Sequence, residues 1–251
     1  MEWVWIRGLG RESRHWHDLP QQAEARLGAS IHRIDLPGFG QHTGAASPLR
    51  LEDNVATARS GMGPHGHPRV VLGHSLGGMV ALAWALHFPE EVRGLVLVNT
   101  SLANLSRPQE RMRPDAFAEI LRVLRVKDPA EREARILRLI ANDEEARCLH
   151  YQHWAELAAA STARRRNVLR QMVAAACFMP RRQLLQQLGR TLPILVLYGK
   201  GDRLVDPSCS LRLADALGCA AAGHPSAGHD LAIDDPAWFM TQLEAFQTSL
   251  S

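Results

Sequence analysis

Residues 70–78, Val-Val-Leu-Gly-His-Ser-Leu-Gly-Gly, constrain this chain more than any other stretch. A short apolar run ends in Gly-x-Ser-x-Gly and passes into Met79-Val80-Ala81-Leu82-Ala83-Trp84-Ala85-Leu86. That order describes a strand, a sharp turn and a helix. Residues on either side of so tight a turn must be small, and Gly73 and Gly77 supply the room, with Gly78 adding to it. Ser75 is expected at the apex, with its hydroxyl exposed above the sheet edge. The free backbone N–H groups of the following helix are directed at the same spot.

The rest of the chain is organised around this turn. Trp3 to Ile6, Ser30 to Leu36, residues 69–73, Val92 to Asn99 and Pro193 to Tyr198 read as strands. Between them, residues 18–28, 51–62 and the run to Phe88 read as helices, and Pro64 to Pro68 as a connector. Continuous apolar strands alternating with helices predict a parallel sheet covered on both faces. The alternation stops at about Leu102. From there to Arg190 the pattern is helical throughout, as in Phe117, Ile120, Leu121 and Leu124, in Ile136, Leu137 and Ile140, and over 144–176. After the strand at 193–198 come a helix at 207–217, a weak strand near 219–223 and a closing helix from Pro236 to Thr248. The expected layout is an α/β core in two parts, 1–101 and 191–251, with a helical cap over 102–190.

The insert also differs in charge. It holds 17 Arg and Lys against 10 Asp and Glu, while the remainder holds 12 against 16. Such asymmetry speaks to partners and steering rather than to fold. At 251 residues, 46% of them hydrophobic, the chain can bury a substantial core without disulfides. Cys148, Cys177, Cys209 and Cys219 have no metal or redox spacing, so they read as reduced structural residues of a cytoplasmic protein. The apolar run at the start is too short for a signal peptide, and no stretch approaches the length of a membrane span.

A neutral serine is a poor nucleophile. It needs a base to take its proton, and the base needs an acid to orient it. Asp202 follows the 193–198 strand within Gly-Lys-Gly-Asp, and His229 lies in Ala-Gly-His-Asp after the last short strand. Loops at the carboxyl ends of parallel strands gather on one edge. Ser75, Asp202 and His229 are therefore expected to meet there, in the chain order serine, acid, histidine.

With these residues in place the chain resembles an α/β-hydrolase-fold enzyme with a helical cap. The stretches that carry the resemblance are Asp35-Leu36-Pro37-Gly38-Phe39-Gly40, Gly73-His74-Ser75-Leu76-Gly77-Gly78, Gly199-Lys200-Gly201-Asp202 and Gly228-His229. Among capped relatives it is similar to the small esterases that include the pimeloyl-acyl-carrier-protein methyl ester esterases. The resemblance implies a serine nucleophile at Ser75, a base at His229 and an orienting acid at Asp202. It implies oxyanion donors in the backbone N–H groups of Leu76 and Leu9. It also implies hydrolysis of a carboxylic ester through an acyl-enzyme, with no cofactor and no metal. A thioesterase or acyltransferase would use the same residues, and a binding protein on this fold is the alternative of a different class. The chain departs from the family where similar enzymes carry His-Gly and it carries Arg7-Gly8, which sets a cation near the site. The family's two leading edge strands have no room before Trp3, so a sheet of about six strands is expected.

Other residues have plainer roles. Asp206 reads as the cap of the helix after it, and Asn99 ends a strand but cannot balance an imidazolium. Asp230 adjoins His229 in sequence and is expected to point elsewhere. His150 and His153 read as surface or packing residues without further ligands, and His65-Gly66-His67 as a solvated loop. Trp16, Trp84, Trp154 and Trp238 read as packing, with Trp154, in the cap, also a candidate substrate contact beside Arg7. Arg164-Arg165-Arg166 reads as surface, and no nucleic-acid recognition motif accompanies the basic insert. Arg132, Arg135 and Arg138 recur every three residues on one helix, and Arg122 and Arg125 on another. Arg135 and Arg138 are candidate contacts for an acidic acyl carrier protein delivering a small acyl or ester substrate.

Overall fold

Alternate residues of a strand face opposite sides of a sheet, and the two sides of this sheet are both apolar. In the computed structural model, which describes residues 1–60, 62 and 67–250, the chain runs β1 (Glu2–Ile6), α1 (Leu19–Leu27), β2 (Ser30–Ile34), α2 (Asp53–Ser60), β3 (Arg69–His74), α3 (Leu76–His87) and β4 (Val92–Val98). Six helices follow, α4 (Pro108–Arg111), α5 (Pro114–Val123), α6 (Pro129–Ile140), α7 (Glu144–Ala160), α8 (Arg165–Cys177) and α9 (Arg182–Thr191). Then come β5 (Ile194–Gly199), α10 (Ser208–Leu217), β6 (Ala220–His224), α11 (Leu231–Asp234) and α12 (Pro236–Thr248). The sequence reading of a connector at 64–66 and of a loop at His65 and Gly66 lies outside the described residues.

The strands form one sheet in the order β2-β1-β3-β4-β5-β6, every neighbouring pair parallel. Trp3 and Trp5 of β1, with Val70, Leu72, Val96 and Val98, pack against α1 and α12 on one face. Val4 and Ile6, with Val71, Leu95, Leu97 and Val196, pack against α3 and α10 on the other. Burying each such aliphatic side chain contributes on the order of 1.5–3 kcal/mol. The order of strand addition changes side at β1, since β2 lies on one side of it and β3 on the other. Loops that leave the carboxyl ends of β1, β3, β4 and β5 therefore meet at one edge of the sheet.

Among the described residues the segment between β4 and β5 is wholly helical. Asp128 and Asp143 cap α6 and α7, accepting hydrogen bonds from the backbone N–H groups of Glu131 and Ala146 respectively. The helical run expected over 144–176 breaks between α7 and α8, where Ser161 and Arg164 are extended. A third apolar cluster joins Ile120, Leu137, Ile140 and Trp154 of this segment to Leu204, Val205 and Ile233 of the loops below it. The boundary expected at 190 groups α9 with the insert, yet Leu185 and Leu188 of α9 pack in the core beneath the sheet with α10. The two helices approach so closely that a Cβ on Gly189 would overlap the Leu217 carbonyl.

Candidate active site

The turn after β3 is as sharp as its sequence demands. Ser75 has φ 55° and ψ −116°, a backbone conformation that L residues rarely adopt. Its N–H donates to the Val98 carbonyl at 2.7 Å, which ties the turn to the end of β4. A Cβ on Gly73 would overlap the Gly77 carbonyl, one on Gly77 would overlap the carbonyls of Ile6 and Arg7, and one on Gly78 would overlap Thr100 Oγ1. The three glycines are thus required by close approach on three sides. Gly8, after β1, lies against the Ser75 side chain, since a Cβ there would sit 3.2 Å from Ser75 Cβ. Leu76 is the first residue of α3, so its N–H has no intrahelical acceptor. Leu9 and Leu76 both line the cavity that Ser75 faces.

Asp202 and His229 meet as the sequence predicts. His229 Nδ1 lies 2.7 Å from Asp202 Oδ2, and both residues are buried. The other oxygen, Asp202 Oδ1, accepts the N–H groups of Leu204 at 2.8 Å and Val205 at 2.9 Å. These bonds fix the carboxylate so that one oxygen is left for the imidazole. His229 lines the same cavity as Ser75.

Asn99, set aside in the sequence for its lack of charge, has a positional role. It takes a positive φ of 47° at the end of β4. Its Oδ1 accepts the Gly199 N–H at 3.0 Å, and its Nδ2 donates to the His229 carbonyl at 2.6 Å. One side chain thereby joins the end of β5, which leads to Asp202, to the loop that carries His229. His74 donates from Nε2 to the same carbonyl at 2.8 Å. Burial pushes the His74 imidazole down to about 4, so it is a neutral group at pH 7.

The Asp230 carboxylate turns to Arg7 rather than to His229, and Arg7 sets its cation beside the cavity. They form a buried ion pair, with Nη2–Oδ2 at 2.5 Å, Nη1–Oδ1 at 3.4 Å and both side chains 1% exposed. Burial alone would raise the Asp230 carboxyl, but the charge of Arg7, the nearby His74 and the Arg7 hydrogen bonds hold it at about 2. Arg7 lines the cavity, with its guanidinium 4.4 Å from the Trp16 ring. Trp154 is corrected as a substrate contact. It is fully buried and packs edge-on against His15 at 4.7 Å, outside the cavity lining. A residue at one-turn spacing on an amphipathic helix looks the same whether it faces a cavity or a packed loop.

The cavity measures about 830 Å³ and opens between the sheet edge and the helical segment. Phe117, Ile120, Ile136, Leu157 and Met172 supply much of its apolar wall. The loop after β1 is held from both sides of it. Gly10 N–H donates to Gln171 Oε1 of α8 at 2.9 Å, and Arg11 pairs with the buried Glu133 of α6 at 2.6 Å. Of the arginine row on α6, Arg132 lines the cavity, whereas Arg135 and Arg138 do not. Arg135 is paired with Glu119 at 3.1 Å and Glu131 at 2.9 Å, and Arg138 is exposed. Asp206 accepts the Ser208 N–H at 3.0 Å in the first turn of α10 and pairs with Arg113, away from His229. His150 and His153 meet His17 from the core, at ring separations of 5.6 and 4.9 Å. No group of His, Cys, Asp and Glu among the described residues has the arrangement to hold a metal ion. No helix among them is long and apolar enough to cross a membrane.

The sequence carried weak signals for what it did not reveal. Arg7 follows an apolar strand, and an acid directly follows His229, but nothing in either stretch says that the two meet. Gln171 and Glu133 are polar residues inside helical apolar patterns, which marks them for a buried partner without naming it.

Comparison with known proteins agrees with this fold. A family model for the alpha/beta hydrolase fold matches residues 4–236. Pimeloyl-[acyl-carrier protein] methyl ester esterases of Salmonella heidelberg and Salmonella agona are each 33% identical over 98 residues. That match spans 39% of this chain and 36% of the length of those relatives. Among solved structures, an esterase from Rhodococcus sp. ECU1013 superposes with a TM-score of 0.78 at 20% identity, covering 100% of this chain and 91% of that one. A thermophilic esterase from Thermogutta terrifontis gives 0.76 at 20% identity, over 100% and 90%. At such identities the likeness shows the fold alone.

Proposed function

Since the chain belongs to the alpha/beta hydrolase fold family, we propose that it is a serine hydrolase of carboxylic esters. The observation that carries this reading is the lining of one cavity by both Ser75 and His229, with Asp202 Oδ2 2.7 Å from His229 Nδ1. Ser75 Oγ attacks the acyl carbon while His229 Nε2 takes its proton. His229 then gives that proton to the leaving alcohol, and the acyl group stays on Ser75. Water, deprotonated by His229 in turn, releases the acid and restores the serine. Asp202 holds the imidazole in the tautomer that leaves Nε2 free as a base, and stabilises the imidazolium. The backbone N–H groups of Leu9 and Leu76 hold the oxyanion. Removing one such donor typically costs on the order of 2.7–4 kcal/mol of transition-state stabilisation.

Turnover of p-nitrophenyl esters from acetate to decanoate tests the reading. The expected result is hydrolysis by the wild type and none by folded Ser75→Ala. Equal turnover by both proteins overturns it.

The substrate proposal extends to an ester borne on an acidic acyl carrier protein. The activity named for the Salmonella relatives supports it, as do the cations Arg132, Arg164 and Arg165 that line the cavity. Arg135 and Arg138 would then meet the carrier from outside. Charge reversal at both should raise KM for a carrier-linked ester, with the effect shrinking at high salt. An unchanged KM removes the carrier from the proposal.

A further inference from the structure

One cation in the cavity wall has no carboxylate partner among the described residues. Arg111 ends α4 and lines the cavity together with Met112, Met172, Ala175 and Leu204. Its Nη2 donates to the Ala175 carbonyl near the end of α8 at 2.8 Å. Its Nε is buried with no hydrogen-bond partner.

The nearby carboxylates are already committed. Glu110 pairs with Arg212 at 2.8 Å, and Asp206 pairs with Arg113 at 3.0 Å. Three arginines in this corner therefore share two acids, and Arg111 is the one left over. Burial pushes the Arg111 pKa down, and the opposing influence is the Cys209 thiol. Burial raises that thiol, so it carries no charge at neutral pH. A guanidinium stays protonated even so, and a desolvated charge with no partner is costly.

Other arginines of the cavity differ from it. Arg7 is neutralised by Asp230 and Arg11 by Glu133. Arg132 leans on Glu133 at 3.6 Å, and Arg164 and Arg165 are exposed to solvent. Arg111 alone among these combines partial burial with no paired acid among the described residues.

We propose that Arg111 binds the free carboxylate of a dicarboxylic acid monoester whose ester end reaches Ser75. The planar guanidinium edge matches the two oxygens of a carboxylate, and a single negative charge balances the single positive one. The apolar walls between Arg111 and Ser75 take the methylene chain, and the volume lies within the range of small-ligand sites. This rests on the esterase reading above, though not on a carrier protein.

Two measurements keep the inference and that reading apart. In the first, methanol release is followed with monomethyl suberate and with the neutral methyl octanoate, for wild type, Arg111→Met and Arg111→Lys. The readout is the ratio of kcat/KM for the half ester to that for the neutral ester. The ratio should favour the half ester in the wild type and fall about tenfold to a hundredfold in Arg111→Met, the range for a charged hydrogen bond. Arg111→Lys should recover part of the ratio. In the second, binding of monomethyl suberate to Ser75→Ala is measured by calorimetry, with and without Arg111→Met. Binding weakened by the same factor supports the site whether or not any ester is turned over. A ratio or an affinity unaffected by Arg111→Met overturns the inference. Failure of both esters to react, with binding still dependent on Arg111, overturns the esterase reading and leaves the anion site standing.

Discussion

Consecutive residues in one loop make two buried ion pairs of opposite character. His229 faces Asp202 from the loop after β5, and Asp230 faces Arg7 from the loop after β1. The first pair has an acid held by backbone N–H groups and an imidazole whose other nitrogen is left for the cavity. The second pair is a permanent cation and an acid held at about 2, so it stays doubly charged at any pH at which the protein works. In the proposed function the first pair reacts, and the second holds two loops together. The second joins the strand-end loop carrying Leu9 to the loop carrying His229.

If that division is correct, mutations should separate rate from stability. The largest effect is expected from Asp202→Asn, which should lower kcat on the order of 10⁴-fold, because the amide favours the wrong imidazole tautomer. Its unfolding midpoint should stay near that of the wild type. Steady-state rates and a denaturant titration on the same preparation check both halves.

Arg7→Met should do the reverse. Removing one partner strands a buried charge and should cost about 3–5 kcal/mol of stability, whereas Arg7→Met with Asp230→Leu should recover most of it. A single mutant as stable as the double one would mean that the pair holds nothing.

A smaller effect concerns acid. His74 is depressed to about 4 and Asp230 to about 2, so the unfolded chain binds more protons than the folded one. The stability from neutral His74 is fully present above about 6.5 and is lost as pH falls to about 4. That from Asp230 is present above 3.8 and lost as pH falls through about 2. His74→Gln should therefore flatten stability against pH between 6.5 and 4 by up to about 1.4 kcal/mol per pH unit. His15, also held low by burial, keeps its own share of the slope. Denaturant titrations at pH 4.5, 5.5 and 6.5 read this directly.

The smallest effect belongs to the rival acid. Asp206→Asn loses a half-exposed pair with Arg113 and weakens a helix start, together about 1 kcal/mol or less. Its turnover should remain near that of the wild type.

The two pairs also mark how far the sequence could be read. Ser75 and Asp202 were legible because each follows an apolar strand and sits among small residues, and His229 because it stands in Gly-His after the last strand. Strand order then needed only the rule that parallel strand ends gather. The weak strand at β6 was legible only in outline, since Ala220 to Ala222 carry little pattern of their own and are held by pairing with β5. Arg7 and Asp230 were not legible as a pair, because 223 residues separate them and an isolated charge in a loop usually reads as solvated. Trp154 was misread for a related reason. Its helix is nearly balanced between apolar and polar faces, and the packing partner that claims it, His15, comes from a loop after β1. Arg135 shows the same limit, since the acids that neutralise it come from α5 as well as from its own helix.

The central claim is that Ser75 is a nucleophile activated by His229. Intact protein treated with a fluorophosphonate and mapped by peptide mass spectrometry tests it most directly. One adduct per chain is predicted, on the peptide that contains Ser75, slowed in Asp202→Asn and missing in Ser75→Ala. An adduct on a different serine, or one that persists in Ser75→Ala, would contradict the claim.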